Sequence, residues 1–117
     1  RGNVVSPDDL IGVYGADAVR AYLMFFARWD LGAPWNSSGI DGTIRWLRRV
    51  WNMILEPTDN NNASKETIRS LRRKVHQTLK SVTRDFENFQ FNTIISALME
   101  LLNELVSAKQ KGAKRRY

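Results

Sequence analysis

The stretch SKETIRSLRRKVHQTLKSVTRDFENF, residues 64–89, decides the fold class. Its apolar residues recur every three or four positions, which is the spacing of one face of an α-helix: Ile68, Leu71, Val75, Leu79, Val82, Phe86 and Phe89. Ser64 offers a capping hydroxyl at the start, and at about 1.5 Å per residue the helix is on the order of 40 Å long. The stretch therefore predicts a long amphipathic helix with one narrow apolar stripe.

Helical signals also flank this stretch on both sides. Ser6 is the expected cap of a short first helix that has Pro7 at its first position. We expect the remaining helices at about residues 17–27, 40–55 and 92–106. Glycine, proline and asparagine make residues 28–38 an irregular connection, which we expect Trp29 and Trp35 to hold in place. The pattern predicts an all-α antiparallel helical bundle preceded by a short helical linker.

The last predicted helix indicates that the bundle is incomplete. Its apolar arc is wide enough to need neighbours on two sides, and it contains Ile94, Ile95, Leu98, Leu101, Leu102 and Leu105. The chain continues from there only into a charged tail. We therefore expect that the bundle lacks its last helix.

The net charge of +6 is unevenly distributed along the chain. Five basic residues and no acid lie in the tail Lys109–Tyr117, so the tail supplies five of the six charges. A basic terminus can contact RNA, but such a segment is more often a solvated or linking one. The informative positive charge must therefore be sought inside the helices.

Residues that could carry catalysis are scarce. The chain has no cysteine and a single histidine, His76, which falls on an exposed basic helix flank. Nucleophilic or acid–base catalysis needs several titratable groups that converge, so we expect no catalytic residue and no metal site. The longest apolar run, Ala21–Ala27, is too short for a bilayer span, so we expect no membrane partner and a cytoplasmic location.

The third helix has a cationic face. At about 100° per residue, a narrow arc of this mostly apolar helix collects Arg45, Arg48, Arg49 and Asn52. Guanidinium groups bind phosphate oxygens through two parallel hydrogen bonds, and Arg45 and Arg49 lie one turn apart. They therefore suit successive phosphates of an RNA stem. The alternative is a solvated face whose arginines pair with acids elsewhere in the chain.

Two motifs near the start of the chain resemble class I aminoacyl-tRNA synthetases. RGNVVSPD at residues 1–8 is similar to the segment that follows the K-M-S-K-S loop in these enzymes. YGADAVR at residues 14–20 resembles their Y-G-A-D-[AT]-[VL]-R motif, which opens the helix that leaves the catalytic core.

Later motifs resemble the leucyl-tRNA synthetase family. WNSSGIDG at residues 35–42 and RWLRRVW at residues 45–51 are similar to its W-x-x-S-G-[VI]-[ED]-G-x-x-R-F-L-x-R-V-W pattern, and FNTIISALMELLNEL at residues 91–105 to its F-N-T-A-I-x-A-L-M-E-L-x-N-E-L. Trp46 and Ile94 replace a phenylalanine and an alanine, both apolar. The same domain of a valyl-tRNA synthetase and an unrelated basic helical interaction module remain the alternatives.

The resemblance implies a non-catalytic piece of a leucine–tRNA ligase. Residues 1–35 would be the linker and stem-contact segment after the K-M-S-K-S loop, and residues 36–117 the helical anticodon-binding-type domain. Arg45 and Arg49 would bind the tRNA for leucine, and Arg1, Gly2 and Asn3 would adjoin the loop. The fragment would hold no cofactor. Its parent would be a monomer that uses leucine and ATP with magnesium.

Overall fold

Five α-helices and one short 3₁₀ turn make up the described part of the chain. The computed structural model describes residues 4–28, 30–56 and 62–112. The helices are α1 (Pro7–Tyr14), α2 (Ala16–Phe26), α3 (Ile40–Leu55), α4 (Lys65–Glu87) and α5 (Phe91–Gln110), and the turn is Ser37–Gly39. No strand occurs within these described ranges. The predicted all-α class is confirmed, and the bounds predicted for α3 agree with the structure at both ends.

The starts of α1 and α4 differ in how their first N–H groups are satisfied. Ser64 Oγ accepts a hydrogen bond from the backbone N–H of Thr67 at 3.1 Å, as predicted. The same expectation for Ser6 was wrong, because its side chain makes no capping bond. Pro7 has no N–H to satisfy, and two acidic residues in the first turn of α1 complement the helix dipole instead.

A small aromatic core joins α1 and α2 to the start of α3. Its buried residues are Val19, Tyr22 and Ile40, and the side chains packed around them are Leu10, Tyr14, Phe26 and Trp35. The rings of Tyr22 and Trp35 meet edge to face, with centroids 5.2 Å apart. The Tyr22 hydroxyl donates to the backbone carbonyl of Asn36, and burial raises the pKa of this phenol. Trp35 thus holds the connection, as predicted, whereas Trp29 lies outside the described residues.

Helix α5 is the centre of the bundle. It contacts α2, α3 and α4, and buries Ile94, Ile95, Leu102 and Ala108. Helices α4 and α5 are joined by residues 88–90 and run antiparallel: the hydroxyl of Thr93 donates to Asp85 near the turn, and Lys74 pairs with Glu100 further along. The helical hairpin α4–α5 therefore forms one side of the molecule, and α2 and α3 lie on the other.

The apolar stripe predicted for α4 is only partly buried. Leu71 and Val82 are half-buried, but the other five stripe residues are exposed: Ile68, Val75, Leu79, Phe86 and Phe89. The buried positions of α4 are Thr78 and Asp85, about 65° around the helix from the centre of the stripe. Much of the stripe stays exposed because α5 is the principal neighbour of α4 and covers it from one side. The last helix that we expect the bundle to lack was inferred from the apolar arc of α5, and it remains a prediction.

Candidate nucleic-acid interface

The polar arc predicted on α3 lies on the solvent side of the helix. Its four members are all exposed, namely Arg45, Arg48, Arg49 and Asn52. The positions that α3 buries completely are Ile40 and Thr43, on the side that faces α2 and α5. The periodicity of the sequence therefore identified which residues of α3 share the outward face.

A second exposed surface of α3 was not expected. Trp51, Ile54 and Leu55 belong to the apolar part of the helix outside the cationic arc, and they are also exposed, Trp51 by 66%. Helix α3 contacts α2 and α5, and neither neighbour covers this arc near the end of the helix. Helix α3 therefore exposes a second surface in addition to the cationic arc.

Arg49 is attached to the central helix of the bundle. Its Nη2 donates a hydrogen bond to Oδ1 of Asn103 on α5 at 2.8 Å, although the two residues are 54 positions apart. A guanidinium has five N–H donors, so one such bond leaves several donors for a ligand while it fixes the side chain in one orientation. The sequence could not pair Asn103 with Arg49, because no local pattern reports a contact between distant helices.

Arg45 and Arg48 have different surroundings. The Arg45 side chain makes no hydrogen bond or ion pair with the residues described, and Arg45 lies about 6 Å along the helix axis from Arg49. Arg48 lies beside a shallow depression at the junction of α1 and α2, lined by Gly15 and Ala18 among others. Arg49 thus lies toward α5, Arg48 lies toward the first two helices, and Arg45 lies between them on the arc.

Other predicted positions are only partly described. Arg1, Gly2 and Asn3 lie outside the described residues, as do residues 113–117 of the basic tail. Lys109, the first basic residue of that tail, contacts another part of the chain. Its Nζ lies 3.3 Å from both the backbone carbonyl and the carboxylate of Glu56. This contact joins the end of α5 to the end of α3.

One carboxylate is buried. Oδ2 of Asp85 accepts a hydrogen bond from the Thr93 hydroxyl at 2.8 Å, and Oδ1 accepts another from Nη2 of Arg84 at 3.0 Å. The Thr93 hydroxyl, assisted by Arg84, holds the pKa of Asp85 below its ordinary value of 3.8 against the opposing effect of burial. These contacts fasten the turn between α4 and α5. They make Asp85 a structural anion rather than a proton carrier.

The described residues include no candidate metal site. Across 4–28, 30–56 and 62–112, no group of three histidine, aspartate or glutamate side chains is arranged to hold a metal ion. His76 is exposed on α4. Over the same ranges, no helix combines the length and the apolar character that crossing a bilayer requires. What the surface does offer is basic side chains on α3 and α4.

Comparisons with known proteins agree with the motifs. Residues 69–117 match the family described as the anticodon-binding domain of tRNA ligase. The chain is 51% identical to the leucine–tRNA ligase of Dehalococcoides mccartyi over 97% of its own length and 14% of that protein. It is 54% identical to the leucine–tRNA ligase of Deinococcus radiodurans over 94% of its own length and 13% of that protein. The chain thus spans about one seventh of the length of these relatives.

A solved structure shares the fold. The chain superposes on part of the ternary complex of Agrobacterium radiobacter K84 LeuRS with tRNA and LeuAMS, with a TM-score of 0.83 and 29% sequence identity. The similarity covers 95% of this chain and 16% of that one. The helical arrangement described above is therefore that of one segment of a much larger protein.

Proposed function

We propose that this chain is a tRNA-docking domain that performs no chemistry itself. The chain belongs to the leucyl-tRNA synthetase family, as an anticodon-binding-type segment. The full-length protein would be a cytoplasmic, monomeric ligase that joins leucine to its tRNA with ATP and magnesium. The sites for leucine, ATP and magnesium would lie in other parts of that protein. Residues 1–35 would link the catalytic part to the docking domain at residues 36–117, and Arg1, Gly2 and Asn3 would adjoin the K-M-S-K-S loop.

The observation that supports docking most directly is the fold shared with a segment of a synthetase that was solved together with tRNA. The chain adds exposed arginines on one arc of α3 and offers no cluster of acids and histidines within the described residues. A surface of this kind binds polyanions, because guanidinium groups form charge-assisted hydrogen bonds with phosphate oxygens.

Arg45 and Arg49 are the residues that we propose contact the RNA. They lie one helical turn apart, so their guanidinium groups can reach neighbouring phosphates of one strand. The hydrogen bond from Arg49 to Asn103 orients one of the two before RNA arrives, which lowers the entropy cost of binding. Contacts of this type position the RNA and carry little sequence information.

The test is a double variant, Arg45→Ala with Arg49→Ala, in the full-length protein. We expect tRNA affinity to fall roughly tenfold and the slope of log K against log salt to decrease by about 1.5, since two phosphate contacts are lost. Leucine-dependent exchange of pyrophosphate with ATP should stay unchanged, because neither residue belongs to the activation site.

Arg48→Ala is the control, since it removes one positive charge from the same helix, beside the depression at the α1–α2 junction. We expect it to change tRNA affinity little. Equal losses of aminoacylation and of pyrophosphate exchange in the double variant would contradict a docking role. An Arg48→Ala loss as large as that of the double variant would contradict the assignment to Arg45 and Arg49.

A further inference from the structure

A row of basic residues runs along the outward face of α4. It consists of Lys65, Arg69, Arg72, Arg73 and Lys80, which we call the α4 ridge, and all five are exposed. At about 100° per residue they fall within an arc of about 100°, on the side of the helix opposite the buried Thr78 and Asp85. The ridge extends about 22 Å along the helix axis.

The ridge residues lack partners, whereas basic residues beside the ridge have them. Lys74 pairs with Glu100 at 3.2 Å, and Arg84 pairs with Asp85 at 3.0 Å. No ridge side chain forms an ion pair or a hydrogen bond with any part of the chain that the structure describes. The basic residues of α4 thus divide into two that stabilise the bundle and five whose charge is uncompensated.

This arrangement costs the helix stability. Lys65 and Arg69 are four positions apart, as are Arg69 and Arg73, and like charges at this spacing destabilise a helix by about 0.2–0.5 kcal/mol per pair. No acidic residue interrupts α4 between Glu66 and Asp85. A solvated helix face without a ligand would be more stable with mixed charges, so the uniform sign of the ridge indicates an anionic partner.

We infer that the α4 ridge is a second RNA-backbone contact of this domain, separate from Arg45 and Arg49. The inference rests on the proposed docking function. Successive ridge cations lie no more than about 10 Å apart along the helix axis, so the row can contact several of the repeated phosphates of a nucleic-acid strand. Three of the five are arginines, which bind phosphate through paired hydrogen bonds. To bind the ridge in place of RNA, an acidic protein surface would need a carboxylate opposite each of these cations.

The test is a triple variant, Arg69→Ala, Arg73→Ala and Lys80→Ala, in the full-length protein, with binding of purified tRNA measured across a range of salt concentrations. We expect tRNA affinity to fall at least tenfold and the slope of log K against log salt to decrease by about 2–3. Alanine favours helix, so α4 should stay folded, which circular dichroism checks.

The matched control is Arg20→Ala, Arg28→Ala and Lys111→Ala, which removes the same charge from exposed positions off the ridge. We expect a small change in affinity. Unchanged binding by the ridge variant, or equal losses in both triple variants, would overturn the inference.

The Arg45→Ala, Arg49→Ala variant in the same assay separates the two proposals. If that variant loses tRNA affinity and the ridge variant does not, the docking function stands and the ridge has no part in it. If neither variant changes the affinity, docking through this domain fails as well.

Discussion

Nη2 of Arg49 on α3 and Oδ1 of Asn103 on α5 lie 2.8 Å apart in a hydrogen bond between helices that are far separated in sequence. The bond connects a residue proposed to contact RNA with the central helix of the bundle. A side chain on a surface arc is thereby given a fixed orientation by the fold. The orientation of the Arg49 guanidinium consequently depends on Asn103.

Asn103→Asp should weaken tRNA binding. The change keeps the size of the side chain but places a carboxylate against the Arg49 guanidinium, where it competes with phosphate. We expect a loss of roughly threefold to tenfold in affinity, as for one phosphate contact, measured by filter binding at low salt. Gln110→Glu is the control, because it makes the same amide-to-acid change on the same helix. Equal effects of the two substitutions would mean that only net charge matters.

Gly39→Ala should destabilise the chain. A Cβ at this position would lie 2.7 Å from the Tyr22 ring, which is itself fixed by Trp35 and by the Asn36 carbonyl. We expect a loss of about 1–3 kcal/mol in the free energy of unfolding, measured in urea. Gly42→Ala provides the contrast, since its Cβ meets nothing within 4 Å and helix propensity should add about 0.5–1 kcal/mol. A destabilised Gly42→Ala variant would contradict this packing.

Ser64→Ala and Ser6→Ala should differ, although both serines precede a helix. Ser64 caps α4 through the Thr67 N–H, so its removal should cost about 1 kcal/mol of unfolding free energy. Ser6 makes no capping bond with its side chain, and its removal should change stability by no more than about 0.5 kcal/mol. Chemical denaturation of the two variants side by side measures the difference. Equal losses would show that Ser6 caps α1 after all.

Thr93→Val should raise the pKa of Asp85. In the folded chain this pKa lies below 3.8, chiefly because of the Thr93 hydroxyl, so the interaction stabilises the fold above that pH and is lost as the pH falls through the folded-state pKa. Carboxyl-carbon NMR titration should show the Asp85 pKa move up toward its ordinary value in the variant. Stability should also depend less on pH in the acid range.

Thr83→Val is the control for this titration, because the Thr83 hydroxyl bonds the Leu79 carbonyl on the same helix and not the carboxylate. An Asp85 pKa that moves as much in this variant as in Thr93→Val would show that the Thr93 hydroxyl is not its main determinant.

The helices were predictable from local signals, and the surfaces between them were not. The bounds of α3 agree with the prediction because glycine and proline mark its limits and an acid lies in its first turn. Periodicity also showed that Leu79 belongs to the stripe of α4, yet Leu79 is 61% exposed. Which residues share a face follows from the helix repeat, whereas coverage of that face depends on how many neighbouring helices the fold supplies.

Part of the candidate site was likewise predictable from the sequence, and part of it was not. Exposure of Arg45 and Arg49 followed from their position on a mostly apolar helix, but the partner of Arg49 did not. Lys74 and Arg69 are both basic residues of α4, and the sequence alone does not distinguish their roles. The contact between Lys74 and Glu100 is what separates a structural cation from a free one.

The position of α5 at the centre of the bundle has a consequence for the order of assembly. Helices α4 and α5 are consecutive and joined by a three-residue turn, so their contacts close short loops and can form early. The contacts between α2 and α5 close a loop of more than sixty residues and should form later. We therefore expect the α4–α5 hairpin to nucleate folding, and substitutions at Ala18 or Val19 in α2 to accelerate unfolding more than they slow folding.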